Sequence, residues 1–146
     1  MAPKSSAAPL LGALAWLTGA AAPAPNIAVA NPWFRLITPR VPAGGYMTLR
    51  NTSRRTVTLT GASSDACGML MLHRTEGERM VPVSAAAIPP DGTLTLAPGG
   101  YHLMCMTPRM AVGSTVRVTL HLQDGATVDA VFPVIGATDH PPDGGH

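Results

Sequence analysis

The sequence predicts an all-β protein, a two-layer antiparallel β-sandwich of eight or nine short strands. Short alternating or β-branched runs recur along the chain, and residues that favour turns separate them. The fifteen glycines and fifteen prolines are spread along the chain, which is typical of a protein in which many strands must end. Helical periodicity is hard to find after residue 25.

Nine segments carry the strand pattern, and the chain between them carries turn residues. The segments are Ile27–Ile37, Tyr46–Arg50, Val57–Thr60, Met69–His73, Met80–Val83, Thr93–Leu96, His102–Met106, Val116–Leu122 and Thr127–Val134. The separators that tolerate positive φ are Gly44-Gly45, Asp91-Gly92, Pro98-Gly99-Gly100 and Asp124-Gly125. Of these, Asp124-Gly125 gives the clearest signal for a β-hairpin, because it joins the last two alternating runs.

The chain divides into three parts. Residues 1–24 have the layout of an export signal, with Lys4, a short apolar run from Leu10 to Leu17 and small residues at Ala20–Ala24. Residues 25–136 form the predicted sandwich. Residues 137–146, with His140 and His146, form a tail that we expect to be flexible because it has nothing apolar to bury. The prediction is a periplasmic protein that is not inserted in the membrane once the signal has been removed.

Composition argues against two classes of function. The net charge is only +2 and the charged fraction is 12%, which does not suit a surface that follows nucleic-acid phosphates. We find no Ser-His-Asp order and no paired carboxylates among the eight acidic residues, so we do not expect an enzyme.

Methionine and histidine are concentrated in one part of the chain. Six of the eight methionines lie between residues 69 and 110, together with His73 and His102. Alternate residues of a strand share a face, so one strand would present Met69, Met71 and His73, and another His102, Met104 and Met106. Any one of these methionines alone is more typical of core packing, and the prediction of a shared site depends on their conjunction.

Thioether sulfur is a soft, uncharged ligand and imidazole is borderline. Such a set selects Cu(I) over Mg²⁺ or Ca²⁺, which require several oxygen ligands. Zinc fits less well because it usually requires thiolate, imidazole or carboxylate. The pattern therefore predicts copper binding with a preference for Cu(I).

The segment from Gly45 to Val134 resembles the periplasmic copper chaperone family PCuAC. The family pattern is a His, about ten residues, a Met, twenty-one residues and His-x-Met. Here Met80 is followed by twenty-one residues and then His102-Leu103-Met104. The framing residues that match are Asn31-Pro32-Trp33, Gly45-Tyr46-Met47-Thr48-Leu49-Arg50-Asn51, Leu72-His73, Pro98-Gly99-Gly100-Tyr101 and Asp124-Gly125.

This resemblance implies a cupredoxin-like Greek-key β-sandwich and four metal ligands, His73, Met80, His102 and Met104. It also implies a partner, either the copper-accepting subunit of cytochrome c oxidase or another copper chaperone, served by a monomer. One departure concerns Met80, because only six residues separate it from His73. An even-numbered deletion preserves strand facing, and a tighter hairpin would bring the two residues opposite each other. Met71 is the substitute for Met80.

Cys67 and Cys105 form the second departure from the family pattern. We favour a disulfide between them over free thiols or thiolate ligands, because an exported protein resides in an oxidising compartment in which disulfides persist. Facing parity argues the other way, because Cys105 is expected to face away from His102 and Met104. Cys67 precedes the predicted strand and escapes this constraint.

Two other functions stay open at this point. A blue-copper electron carrier uses two His, a Cys thiolate and a weak axial Met, but His102, Met104 and Cys105 are too close along one strand for this. A β-sandwich interaction module would use the same residues for packing alone. The tail residues His140 and His146 are weak candidates for Cu(II), and His121 is expected to be an ordinary surface residue.

Overall fold

The computed structural model describes residues 26–142, which fold into ten β-strands. The strands in chain order are β1 (Ile27–Arg35), β2 (Ala43–Asn51), β3 (Val57–Ser63), β4 (Cys67–Glu76), β5 (Arg79–Pro82), β6 (Ala86–Ile88), β7 (Thr93–Leu96), β8 (Tyr101–Pro108), β9 (Thr115–Leu122) and β10 (Thr127–Ile135). The predicted export signal at residues 1–24 lies outside the described residues. Within those residues, no helix has the length and hydropathy needed to span a bilayer.

The strands form one curled sheet in the order β5-β4-β8-β7-β2-β1-β10-β9-β3-β6. A short parallel pairing of β1 with β10, Phe34 with Val134 and Arg35 with Ile135, joins its two halves. Side chains from both halves belong to one hydrophobic core, with Leu72 and Leu103 from the first half and Leu120 from the second. The halves therefore face each other across this core as the two layers of a sandwich, which confirms the predicted fold class.

The strands follow from the alternation of apolar and polar residues. In β9 the side chains of Val116, Val118, Leu120 and Leu122 are buried, and the residues between them are exposed or half-buried. A period of two places every second side chain on one face of a strand, so this segment buries one face and leaves the other to solvent. The predicted hairpin between β9 and β10 is confirmed, and Gly125 takes a φ of 91° in its turn.

The strand count and strand directions differ from the prediction. All nine predicted segments form strands, but β6 is a tenth. Its three residues are too few to show a period, and they form a strand only because they pair with β3. The sheet is also not wholly antiparallel, since β1 pairs in parallel with β10 and β7 with β8.

The interpretation of Gly44-Gly45 as a turn was wrong, because both glycines lie inside β2. A Cβ on Gly45 would lie 2.6 Å from Cε1 of Phe34, whose ring is fully buried. A glycine inside a strand often marks such a close approach. Gly45 is therefore required by packing, and neither glycine has positive φ.

The segment after β10 contacts the sandwich through Arg35. Its guanidinium Nη1 donates to the carbonyl oxygens of Gly136, Ala137 and Asp139 at 2.6, 3.1 and 3.2 Å. The flexibility expected of residues 137–146 stays a prediction, and residues 143–146, including His146, lie outside the described residues.

Candidate metal centre

The candidate site lies on the antiparallel strand pair β4 and β8. Directly opposite residues of such a pair share a face. The register places His73 opposite His102, Met71 opposite Met104 and Met69 opposite Met106. The alternate residues Leu70, Leu72 and Leu103 belong to the core, so the histidines and methionines lie on the outer face of the sheet.

The two histidines form a buried pair. Their ring centroids lie 5.6 Å apart with the ring planes at 67°, and only 7% of His73 and 4% of His102 is exposed. His73 lies on β4 between β8 and β5. Its opposite residue on β8 is His102, and its opposite residue on β5 is Pro82. Neighbours on both adjacent strands thus flank His73, which explains why it is buried on an outer face.

Three of the four ring nitrogens have no hydrogen-bond partner. These are Nδ1 and Nε2 of His73 and Nε2 of His102. The fourth, Nδ1 of His102, lies 3.3 Å from the carbonyl oxygen of Gly100, which can only accept a hydrogen bond. His102 therefore carries its proton on Nδ1 and keeps a lone pair on Nε2, the arrangement typical of a metal-ligating histidine. The sequence did not predict that the carbonyl oxygen of Gly100 would orient the His102 ring. The position of Gly100, two residues before His102, was the available signal.

The charge state of His73 also suits ligation. Burial lowers the pKa of His73 below its ordinary value, and the neighbouring His102 lowers that pKa further, because two imidazolium charges would repel each other. Neutral imidazole is the form that binds a metal ion. His73 therefore stays available as a ligand at a pH where an exposed histidine begins to take up a proton.

Met71 and Met104 supply thioethers next to the histidine pair. Both are half-buried, and neither packs against the hydrophobic core, whereas Met110 does. We call two directly opposite residues of β4 and β8 a rung. Together with His73 and His102, the two methionines form a block of four donors on two rungs that follow each other on the outer face; the rung between them, Leu72 and Leu103, faces the core. Within residues 26–142 no group of three or more His, Cys, Asp or Glu side chains could hold a metal ion. The further donors on this face beside the two histidines are the methionine sulfurs, which favour a soft cation.

Met80 lies further from the centre of the site. The tight hairpin does not bring it opposite His73, because Thr75 lies opposite Met80 and Pro82 opposite His73. Met80 shares the outer face with Thr75 and His73, as the even-numbered deletion predicts, and 57% of it is exposed. It is a diagonal neighbour of His73 on the side away from His102, a separation that long side chains can span.

An aromatic pair flanks the site on the other side of β8. Gly44 of β2 lies opposite Met104, and a Cβ on Gly44 would lie 2.6 Å from the hydroxyl oxygen of Tyr46. The Tyr46 ring therefore covers Gly44 beside Met104, and it packs against Trp33 with the ring centroids 4.5 Å apart and the planes tilted by 37°. Burial raises the pKa of Tyr46, although the nearby charge of Arg35 opposes the change.

Cys67 and Cys105 form the predicted disulfide, with their Cα atoms 5.3 Å apart. This lies within the range of about 7 Å that a disulfide can bridge. Both cysteines are buried in the core, beneath the methionine rungs. The expectation that Cys67 precedes the strand was wrong, because β4 begins at Cys67. Strict alternation would place Cys67 on the face of Met69, but opposite this step Thr107 has a left-handed φ of 51°, which interrupts the extended backbone of β8.

The other histidines have different surroundings. His121 is half-buried on β9, in the other half of the sheet, with Nε2 2.8 Å from the hydroxyl oxygen of Ser63. His140 is exposed in the segment after β10. A Cu(II) role for His140 and His146 stays a prediction.

The fold and the site together define a β-sandwich with a buried histidine pair and thioethers on the outer face of one layer. Residues 27–134 match the model of the family described as "Putative lipoprotein LpqE-like", a PCuAC-type family. The chain therefore belongs to the LpqE-like family, and the resemblance to PCuAC found in the sequence is confirmed.

Relatives and solved structures agree with this assignment. "Putative lipoprotein Lxx21020" of Leifsonia xyli subsp. xyli is 36% identical over 104 residues, which cover 63% of this chain and 63% of that protein. The chain thus spans less than two thirds of the length of this relative. Apo-DR1885 from Deinococcus radiodurans is 30% identical with a TM-score of 0.62, covering 94% of this chain and 93% of that one.

Two copper-bound structures are similar as well. CuI-DR1885 from Deinococcus radiodurans is 30% identical with a TM-score of 0.57, covering 83% of this chain and 84% of that one. The copper-bound PCuAC domain from PmoF2 is 24% identical with a TM-score of 0.67, covering 77% of this chain and 94% of that one, and this likeness shows the fold. The cupredoxin-like class of the sandwich is thereby confirmed.

Proposed function

We propose that this chain is an exported copper chaperone that holds Cu(I) on the outer face of β4 and β8 and passes it to a copper-accepting protein. The observation that carries the proposal is the pair His73 and His102, buried beside thioethers with three ring nitrogens unpartnered. A buried polar group without a partner costs free energy, and such a group calls for a ligand that completes it. A cation does this for two of the three nitrogens, because Nε2 of His102 and one nitrogen of His73 each have a lone pair to donate, while the other nitrogen of His73 carries the proton of the neutral ring.

The ligands in this proposal are His73, His102, Met104 and one further methionine. Met71 is favoured as the fourth ligand because it lies directly opposite Met104, whereas Met80 lies opposite Thr75. Two imidazoles and two thioethers carry no negative charge, which suits a monovalent soft ion better than Cu(II) or Zn²⁺. In this role the protein carries copper and does not catalyse a reaction.

Two observations favour a chaperone over an electron carrier. CuI-DR1885, at 30% identity, is named as a Cu(I)-bound structure. A blue-copper site requires a cysteine thiolate, and both cysteines of the sequence are joined in the disulfide. Cys105 therefore has no thiolate to offer, and its side chain lies on the core side of β8.

The location and the acceptor complete the proposal. The signal-like pattern of residues 1–24 and the buried disulfide support export to the periplasm, where disulfides persist. The relative from Leifsonia xyli subsp. xyli is named a lipoprotein, which fits a protein of the cell envelope. The acceptor we propose is the copper centre of cytochrome c oxidase, reached directly or through a second chaperone by a monomeric carrier.

A Cu(I) titration tests the function. The protein is loaded in ascorbate, which keeps copper monovalent without attacking the disulfide as a thiol would, and X-ray absorption counts the neighbours of the metal. We expect a colourless complex with two nitrogen and two sulfur neighbours. An intense blue Cu(II) protein would indicate an electron carrier, and absence of stoichiometric copper would indicate an interaction module.

Transfer is tested separately, by mixing the loaded protein with the soluble copper-binding domain of the oxidase subunit. Copper should move to that domain. If it stays on this chain while a different copper protein accepts it, the acceptor part of the proposal is wrong and the copper-binding part stands.

A further inference from the structure

A third rung of donors continues the candidate site along the same strand pair. Met69 of β4 lies opposite Met106 of β8, on the face that carries Met71 and His73. Met69 is 57% exposed, and neither Met69 nor Met106 packs against the hydrophobic core. A methionine that fills no gap in the core is not explained by packing, which is the usual role of this residue. The site of two histidines and two methionines does not use this pair.

The rungs become more exposed along the ladder. His73 and His102 are buried, Met71 and Met104 are half-buried, and at the next rung Met69 is exposed while Met106 is half-buried. Successive rungs on one face are about 7 Å apart, twice the rise of a residue in a strand. Flexible methionine side chains on neighbouring rungs can therefore share one ion, and an ion can exchange one pair of ligands for the next.

We propose that Met69, Met71, Met104 and Met106 form a second, thioether-only site for Cu(I) on the solvent side of the histidine pair. Four uncharged sulfurs select a soft monovalent ion, and the ion is held less tightly than beside the imidazoles. Because Met71 and Met104 belong to both blocks of four, the second site is the position through which Cu(I) enters and leaves the first. The inference rests on the proposed function only for this exchange, since the outer site can bind an ion without the histidines.

Variants separate the two sites. The double variant H73L/H102L removes the inner site and should still bind one equivalent of Cu(I), or of Ag(I) as an air-stable probe, in competition with a chromophoric chelator. Adding M69L/M106L to it should abolish this residual binding. The matched control adds M110L instead, because Met110 packs against the core, and it should leave the residual equivalent in place. Circular dichroism of each variant checks that the fold is kept.

A kinetic measurement on the intact histidine pair completes the test. M69L/M106L alone should release the ion to the chelator several-fold more slowly than the unchanged protein, because the ligands through which the ion leaves have been removed. If H73L/H102L binds no ion while the unchanged protein binds one, the second site does not exist and the proposed function stands. If H73L/H102L binds as tightly as the unchanged protein, the histidine site is wrong. Residual binding that survives M69L/M106L overturns the assignment of the outer pair, and so does release at an unchanged rate.

Discussion

Met71 of β4 lies directly opposite Met104 of β8, one rung from the buried pair His73 and His102. This relationship makes a compact block of four donors on two strands. Met80, on the edge strand β5, belongs to no such block, because β4 separates it from β8. The choice of the fourth ligand therefore depends on strand register, which a single pair of leucine substitutions can test.

Met71→Leu should weaken Cu(I) binding roughly tenfold, which corresponds to about 1.4 kcal/mol. Met80→Leu should change the affinity much less, because Met80 lies opposite Thr75 and is largely exposed. Leucine has nearly the volume of methionine, so neither change should disturb the fold. Chelator competition measures both affinities. A larger loss for Met80→Leu would make Met80 the ligand and Met71 a neighbour.

His73→Leu should abolish tight Cu(I) binding and at the same time raise the free energy of unfolding of the metal-free protein by about 1 kcal/mol. The reason is that a buried polar group without a partner costs roughly 1–3 kcal/mol, and leucine removes that cost. Urea denaturation of the metal-free proteins measures the change. His121→Leu is the control, because His121 has a partner in the Ser63 hydroxyl and its loss should bring no gain. A destabilised His73→Leu protein would mean that the ring has a partner in solution, such as an ordered water.

The metal-free protein should become less stable as the pH falls below about 6.5. The pKa of His73 is lowered in the folded state, chiefly by burial and also by His102. Below pH ~6.5 the unfolded chain therefore binds a proton at this residue that the folded chain does not yet bind. This contribution to stability is fully present above pH ~6.5 and is lost as the pH falls towards the folded-state pKa. Urea denaturation between pH 8 and pH 5 measures it, and His73→Leu should remove the part due to this residue.

The Cu(I) affinity should depend on the protonation state of the same residue, His73. It should be constant well above pH ~6.5 and should fall as the pH drops further below that value, because a proton then competes with the metal for the imidazole; the lowered pKa of His73 shifts this fall to more acidic pH than for an exposed histidine. Competition titrations across this range provide the check. An affinity that is flat down to pH ~5 would argue against ligation by the histidines.

Gly45→Ala should destabilise the protein by about 1–3 kcal/mol, the usual cost of an inserted methyl group that has no room. The new Cβ would lie 2.6 Å from the fully buried ring of Phe34, which cannot move aside. Gly61→Ala is a matched control in another strand, since no atom lies within 4 Å of the position of its Cβ. Thermal denaturation of both variants gives the comparison, and equal melting temperatures would contradict the close approach.

The sequence predicts the strands well because each carries its own alternation of apolar and polar residues. Nine segments are found at the predicted places, and the shared face of Met71 and His73 follows from the same period of two. β6 was missed because three residues carry no period, and Gly45 was misread because the ring that it accommodates, Phe34, lies opposite it on the neighbouring strand β1, a pairing that the local sequence does not reveal.

Register and burial are the parts of the site that local pattern cannot supply. The alternation of residues between His73 and Met80 does not say which residue of β5 lies opposite which residue of β4, because the register is set by the geometry of the turn at Gly77. Likewise, the burial of both histidines on an outer face results from neighbours on three strands. The unpartnered nitrogens, which carry the functional argument, become visible only when the strands are assembled.

The free edge of the sheet beside the proposed metal ligands is formed by β5. β5 is the terminal strand of its layer, has only four residues and ends at Pro82, which has no backbone N–H to donate. Exposed margins of this kind are normally vulnerable to strand addition by a second chain, and brevity and proline both oppose it. Strand addition by a second copy is therefore disfavoured at this corner, and under the proposed function we expect an acceptor that approaches here to contact side chains instead of pairing with the backbone.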